Sequence, residues 1–338
     1  MKGRTSSPGV RVLLTGGAGF IGSNLAHLWR ALRPTDELVV LDALTYAGHR
    51  VSLAALEGSP GFSFVRGDVV DRDTVLNAMR GAELVLHLAA ESHNDRAIAE
   101  PMPFVRTNVE GTANLLECAR RLDVARFHHV STDEVFGSLP LDSPHRFTLD
   151  SPYAPRSPYA ASKAAADHLV RAWSETYGLQ TTISNCGNNF GPFQHPEKLI
   201  PLAIVRLLAG EPFPLYGDGR NVRDWIYVED HCRALIEIAS RGSPGRTYLI
   251  SAESERSNAD VVGQVVRLLG APPSLVRRVP DRPGHDRRYA LDPTRTRLEL
   301  GWAAETPFEE GMRRTVEWYR QHRDWWSPLL SSGTGGNA

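Results

Sequence analysis

The chain has 338 residues, 41% hydrophobic and 23% charged, enough apolar material for a substantial core and a length that suggests roughly two domains. Its 38 Lys and Arg balance 39 Asp and Glu to a formal charge of -1, which argues against a nucleic-acid binder relying on bulk positive field. The cysteines, Cys118, Cys186 and Cys232, are too few and too far apart for a disulfide framework or a CxxC metal site, and no apolar run approaches the ~18 residues of a membrane span. The expectation is a soluble cytoplasmic protein with neither membrane nor nucleic acid as partner. The cations are almost all arginine, so the three lysines, Lys2, Lys163 and Lys198, stand out, the last two because they fall inside motifs.

In chain order, VRVLL from Val10, the turn TGGAGFIGSN and the stretch LAHLWRAL read as strand, glycine turn and helix. Short β-rich runs recur at 37–44 (ELVVLDAL), 62–69 (FSFVRGDV), 83–90 (ELVLHLAA) and 126–132 (RFHHVST), with a helical stretch VRTNVEGTANLLECARRL before the last. This alternation predicts an α/β fold built on a Rossmann-type doubly wound parallel sheet. The alanine-rich SPYAASKAAADHLVRAWSETYG predicts a long helix, and LQTTISNC at 179–186 a sixth strand. Beyond about residue 190 the chain becomes Pro- and Gly-punctuated. Residues 1–190 are therefore expected to form the Rossmann-type domain, 191–330 a smaller second domain and 331–338 a disordered tail. Strand-like runs within 226–250 and 286–292 could return to the main sheet.

Gly16, Gly19 and Gly22 follow the first strand and open the first helix, where backbone N–H groups can face a pyrophosphate without a Cβ in the way. Asp42, 20 residues beyond Gly22, can accept from adenosine ribose hydroxyls, and no arginine follows it immediately, which favours NAD over NADP. Asp68 ends the third run and could bond the adenine amino group or cap a helix. Ala89 and Ala90 let the backbone run close to a dinucleotide.

Tyr159 and Lys163 form YxxxK on the long helix, one turn apart on one face. An ammonium beside a tyrosine stabilises the phenolate and lowers a pKa that is ordinarily about 10. Ser131, Thr132, Asp133 and Glu134 follow the fifth strand, placing a hydroxyl and two carboxyl groups within reach of the same substrate; a helix N-cap box is the alternative. The 12 histidines show no HxxxH or HExxH spacing, so no metal site is expected, and His128 and His129 read as strand packing.

These motifs together resemble the extended short-chain dehydrogenase/reductases and, within them, the dTDP-glucose 4,6-dehydratase family. The likeness spans about residues 10–328 and is carried by TGGAGFIGSN, LDALTYAG, GDVVD, HLAAESHNDRAI, NVEGT, STDEVFG, SPYAASKAAAD, NNFGPFQHPEKLIP, YGDGRNVRDW and DRPGHDRRYALD. STDE discriminates best, because related nucleotide-sugar epimerases generally lack the Asp-Glu pair. The resemblance implies conversion of dTDP-glucose to the 4-keto-6-deoxy sugar by C4 oxidation, water elimination across C5 and C6, and C6 reduction with NAD recycled. Tyr159, assisted by Lys163 and Thr132, would take the C4 hydroxyl proton, Glu134 the C5 proton, and Asp133 would protonate the departing C6 hydroxyl. Phe20, Ile21, Leu44, Thr45, Val69, Leu88, Thr107 and Asn189 join the implied NAD contacts, with Tyr159 and Lys163. Ser92, Thr132, Asn188, Lys198, Leu199, Pro214, Tyr216, Arg223, Asn258, Arg282 and His285 are the implied contacts to the nucleotide-diphosphate sugar.

The chain departs from the family pattern at Asn94, where valine is expected, at Phe136 and Phe190, where tyrosines are expected, and at Gly187, where serine is expected. A dehydratase of a UDP-sugar such as UDP-glucose or UDP-glucuronate, a 4-epimerase or decarboxylase on the same scaffold, and a nucleotide-binding regulator without turnover are the competing readings. A homodimer built on the helices around 109–122 and 159–177 is implied by the family.

Overall fold

The computed structural model describes residues 9–281 and 284–331. Arg282 and residues 332–338 of the expected tail therefore lie outside the described residues, as does Lys2. Twelve strands are formed among the described residues. They are β1 (Arg11–Thr15), β2 (Glu37–Asp42), β3 (Phe62–Arg66), β4 (Leu84–His87), β5 (Arg126–Thr132), β6 (Thr181–Cys186), β7 (Asn188–Phe190), β8 (Phe213–Tyr216), β9 (Val222–Tyr227), β10 (Thr247–Ile250), β11 (Glu255–Ser257) and β12 (Val276–Val279). Seven of them make a wholly parallel sheet in the order β10-β6-β5-β4-β1-β2-β3. Near-continuous apolar runs such as RVLLT and ELVVLD suit this sheet because helices cover both faces.

One face packs on the helices Phe20–Leu32 and Val228–Arg241, with Leu25, Trp29, Leu235 and Ile238 buried in that core. The other packs on Arg72–Met79, Gly111–Arg121 and Pro158–Tyr177 through Val75, Leu115, Leu116 and Val170. The chain runs outward from β1 to β3 and crosses back to β4, so the order reverses between β1 and β4. In open α/β sheets the crevice at the carboxyl ends beside such a reversal is the ligand site.

The expected strands at 37–44, 62–69 and 83–90 are each shorter in the structure, because the chain peels away at the carboxyl edge. Asp42 illustrates how: its side chain accepts from the backbone N–H of Leu44 at 2.8 Å, and Leu44 turns into the left-handed region with φ 54°. Within 226–250, residues Thr247–Ile250 join the main sheet beside β6. Residues 286–292 do not. They make single bridges, Leu291 with Phe147 and Arg288 with Val222, because their backbone groups are taken by the 138–147 segment through Leu139 N to Arg288 O and Phe147 N to Ala290 O.

The remaining strands form a three-stranded sheet, β11-β9-β7, and a parallel pair, β12-β8, around a second core that includes Phe190, Trp225, Phe308, Met312 and Tyr319. The stretch expected to be a helix over 105–122 contains a π-helical segment, Val105–Glu110, before the regular helix Gly111–Arg121. Such wide turns rotate side chains out of α-helical register and recur at functional sites.

The helix Pro158–Tyr177 has complete end signals: Ser157 accepts from Ala160 N at 3.1 Å, Pro158 occupies the first position, and Gly178 closes it at φ 73°. A Cβ on Gly178 would meet nothing within 4 Å, so the cost of Gly178→Ala is purely conformational. Equilibrium unfolding should show a loss of about 1 kcal/mol for this variant with its other properties unchanged.

Candidate active site

A cavity of about 320 Å³ opens along the carboxyl ends of β1, β2, β4, β5 and β6. At one end lies the glycine turn. Gly16 has φ 70°, and a Cβ there would lie 2.6 Å from Ala89 N; a Cβ on Gly22 would lie 2.1 Å from Gly16 O. The backbone is thus packed to a closeness that only glycine permits. Gly19 caps the helix Phe20–Leu32 in extended conformation with no side-chain cap, and the first turn carries no acidic residue, so its N–H groups suit an anion. Asp42 is buried and held by Ala18 N at 2.9 Å and Leu44 N at 2.8 Å; burial raises its pKa against these two donors. Its remaining lone pairs suit ribose hydroxyls and would repel a 2′-phosphate, so the cradle fits NAD rather than NADP.

Of the implied NAD contacts, Gly16, Gly19, Phe20, Ile21, Gly22, Asp42, Thr45, Asp68, Val69, Leu88, Ala89, Ala90, Thr107, Tyr159, Lys163 and Asn189 all line this cavity. Leu44 does not; it packs on the core behind the turn. Asp68 does not cap the next helix, which is capped by Asp71.

Of the implied sugar-nucleotide contacts, Ser92, Thr132, Asn188 and Lys198 line the same cavity, with Lys198 Nζ donating to Ser92 O at 3.0 Å. Asn188 Oδ1 is buried there without a hydrogen-bond partner. Leu199, Pro214, Tyr216, Arg223, Asn258 and His285 are not among the residues that line this cavity, although Arg223 is near enough for its charge to act on Asp133. Arg223 is buried, donating to Val222 O at 2.8 Å and Asp286 O at 3.0 Å, with its guanidinium 4.3 Å from the Tyr289 ring centroid. Tyr216 is 38% exposed, and His285 pairs with Asp281 at 2.6 Å.

The catalytic candidates meet at the other end of the cavity. Thr132 is the last residue of β5 and caps a 3-10 turn, Asp133–Phe136, accepting from Glu134 N at 3.3 Å. Asp133 is 2% exposed; its Oδ1 accepts from Thr132 Oγ1 at 3.2 Å while Oδ2 has no partner. Burial and then the charge of Glu134 push its pKa well above the usual carboxylate range, against the pull of Arg223, which favours the protonated, carboxylic-acid form. Glu134 accepts from Asn94 Nδ2 at 3.0 Å.

Tyr159 is held well above its ordinary value, first by burial and then by Glu134, with a Thr132 hydrogen bond acting the other way. The sequence expectation that Lys163 lowers Tyr159 therefore meets a different local arrangement. Lys163 Nζ donates to Val130 O at 2.8 Å and lies 3.2 Å from His129 Nε2. Burial lowers Lys163 to about 8, and Asp167 opposes that shift.

Asp167 and Asn185, which the sequence reading passed over, and His129, which it read as strand packing, meet around Lys163. Asp167 Oδ2 accepts from Tyr153 at 2.7 Å, Ser131 at 3.0 Å and Asn185 at 3.2 Å, and Oδ1 lies 3.4 Å from His129. Burial alone would raise its pKa, but His129, Lys163 and Tyr153 outweigh it and keep Asp167 a carboxylate. His129, pushed down to about 4 by burial and by Lys163, is neutral. A signal for Asp167 was present: it continues the Tyr159, Lys163 spacing by one more turn. Cys186, Glu91, Gln194 and His195 also line the cavity; the last three lie inside motifs the sequence reading quoted, but were not singled out there.

A sequence model described as GDP-mannose 4,6 dehydratase matches residues 13–315. A Mycobacterium tuberculosis H37Rv protein named dTDP-glucose 4,6-dehydratase is 52% identical over 321 residues, covering 95% of this chain and 96% of its own. The chain belongs to the dTDP-glucose 4,6-dehydratase family. Among solved structures it is similar to DesIV, a Streptomyces venezuelae dTDP-glucose 4,6-dehydratase crystallised with NAD and dTDP, at TM-score 0.92 and 48% identity over 95% of this chain and 100% of that one. It is also similar to the Thermus thermophilus UDP-glucose 4-epimerase in complex with NAD, at TM-score 0.85 and 32% identity over 93% of this chain and 100% of that one. This family member shares its scaffold with both activities, so the side chains at the cavity have to separate them.

One of the family-pattern departures has a direct packing cause. A Cβ on Gly187 would lie 2.7 Å from Asp224 O, so serine there requires the backbone to move.

Asp167→Asn removes the buried countercharge of Lys163. The ammonium should then titrate below the wild-type value of about 8, so that less of it is charged at neutral pH. Side-chain NMR of isotopically labelled lysine, simplified by there being only three, reads this directly.

Proposed function

We propose that this protein is a nucleotide-sugar 4,6-dehydratase that converts dTDP-glucose to dTDP-4-keto-6-deoxyglucose. The observation that carries the reading is Asp133: a buried carboxyl with an unpartnered oxygen, pushed toward its protonated form, next to Glu134 and beside a cradle that fits NAD. An epimerase has no use for an acid at that place, whereas elimination of water requires one.

When bound in the glycine cradle, NAD supplies an acceptor for the C4 hydrogen and returns it at C6, so none is consumed. Thr132 and Tyr159 receive the C4 hydroxyl, and Tyr159 takes its proton. Tyr159 acts from its phenolate, which burial and Glu134 disfavour at rest, so the step requires nearby positive charge. Lys163, one turn along the helix and lowered to about 8 by burial against the pull of Asp167, is the residue proposed to supply it. Oxidation at C4 makes the C5 hydrogen acidic. Glu134 removes that proton, the C5–H electron pair forms the C5–C6 double bond, the C6–O bond breaks, and Asp133 gives its proton to the departing oxygen, which leaves as water. Two adjacent carboxyls divide this work because their surroundings differ. Asp133 is enclosed among Thr132, Glu134 and Asp224, whereas Glu134 is only half-buried and receives an amide hydrogen bond.

Lys198 and Asn188, on the cavity wall, suit the diphosphate and sugar. Arg223, Leu199, Pro214, Tyr216, Asn258, Arg282 and His285 are proposed to complete the nucleotide end from the second lobe. The protein works as a cytoplasmic homodimer in this reading. Exposed Met102 and Val105 lie where the helical layer containing Gly111–Arg121 and Pro158–Tyr177 begins, and all three cysteines are free thiols. No helix among the described residues is long and apolar enough to cross a membrane.

Purified protein incubated with dTDP-glucose and no added NAD should yield a product lighter by one water with the nucleotide intact, read by mass spectrometry. Turnover of UDP-glucose or UDP-glucuronate alone would move the substrate and keep the chemistry. Asp133→Asn should lower water elimination by at least about a hundredfold while C4 oxidation, followed as absorbance of the reduced nicotinamide, largely persists. An unchanged dehydration rate in that variant would sink the assignment of Asp133.

A further inference from the structure

Asn94 stands between the two halves of the catalytic machinery. Its Nδ2 donates to Glu134 Oε2 at 3.0 Å, and its Oδ1 accepts from Ser157 Oγ at 3.0 Å. A carboxylate only accepts hydrogen bonds, so the amide must turn its NH2 to Glu134, and the hydroxyl of Ser157 satisfies the opposite end. Ser157 is also the N-cap of the helix Pro158–Tyr177, accepting from Ala160 N at 3.1 Å. One polar chain, Ser157 to Asn94 to Glu134, therefore ties the turn after β5, which carries both carboxyls, to the helix that carries Tyr159 and Lys163.

We propose that Asn94 is a positioning residue for the elimination step, fixing Glu134 Oε2 so that Oε1 is the oxygen that takes the C5 proton. The proposal rests on the assignment of Glu134 as base in the preceding reading. In the balanced step, the C5 proton goes to Oε1, the C–H electron pair forms the C5–C6 double bond, and the C6 oxygen leaves with the Asp133 proton as water.

A further observation bears on Glu134. Asp133, Tyr159 and Tyr289 face it as well, and each is driven toward its protonated form first by burial and then by Glu134, while Arg223 pulls Asp133 and Tyr289 the other way. The Asn94 amide gives the Glu134 carboxyl a directed side-chain donor.

The test uses full-length protein and dTDP-glucose, with Asn94→Val and Asn94→Asp. Valine removes the donor. Aspartate is nearly isosteric, removes the donor and sets a second carboxyl against Glu134. For Asn94→Val, kcat should fall about threefold to tenfold with KM little changed. The isotope effect on kcat with C5-deuterated substrate should rise, because C5 proton removal becomes limiting, and C5 exchange in heavy water should slow by a similar factor. Asn94→Asp should be at least as damaging as Asn94→Val; a space-filling role predicts the reverse order. Unchanged kcat and isotope effect in both variants overturn the proposal, as does a loss confined to KM and thermal stability. Wild-type protein that eliminates no water from any sugar tested overturns the preceding reading as well, so the two failures are distinguishable.

Discussion

A lysine ammonium enclosed by protein keeps its charge only where a carboxylate stands close enough to offset the lost hydration, and Asp167 meets that requirement for Lys163. The carboxylate needs its own partners, and the sheet provides them. Ser131 of β5 and Asn185 of β6 are register partners on one face, and both donate to Asp167 Oδ2. His129, two residues before Ser131 and so on the same face, lies against both Lys163 and Asp167. Pairing of β5 with β6 and docking of the helix Pro158–Tyr177 on that face are thus conditions for a charged Lys163.

From that anchor the division of labour between the carboxyls follows. The turn after β5 brings both carboxyls to the cavity but buries Asp133 more deeply than Glu134, and to that burial is added the cost of a second negative charge beside the first. A neutral acid next to a carboxylate base is what water elimination requires. The likeness to a 4-epimerase at TM-score 0.85 shows how little of this resides in the fold, because the same backbone carries a different activity when its side chains differ.

Local departures from regular structure concentrate around the cavity. The π-helical Val105–Glu110 presents Thr107 to the cofactor end while turning Asn108 inward, where it bonds the Glu91 backbone on both sides and Ser162 Oγ at 2.8 Å. Asn94 and Gly187, where the chain departs from what the resemblance expects, both make specific contacts: one bonds Glu134, the other makes room for Asp224 O.

The parallel sheet, the glycine cradle, Asp42, the YxxxK pair and the STDE run were legible in the sequence because each is set by neighbours within a few residues: apolar runs, a strand-to-helix turn, one helical turn of spacing. The missing pieces have no such local signature. Residues 286–292 look like a strand of the main sheet, yet their backbone is claimed by a segment some 140 positions earlier. Asp167 is four residues from Lys163, but its role depends on Ser131, Tyr153 and Asn185 converging on it. Protonation was beyond reach for the same reason: burial pushes Asp133 and Tyr159 up and His129 down to about 4. Sequence determined which groups the chain carries to the carboxyl edge of its sheet. Only the tertiary structure decided which of them are charged there, because desolvation and the distance to a countercharge are properties of packing.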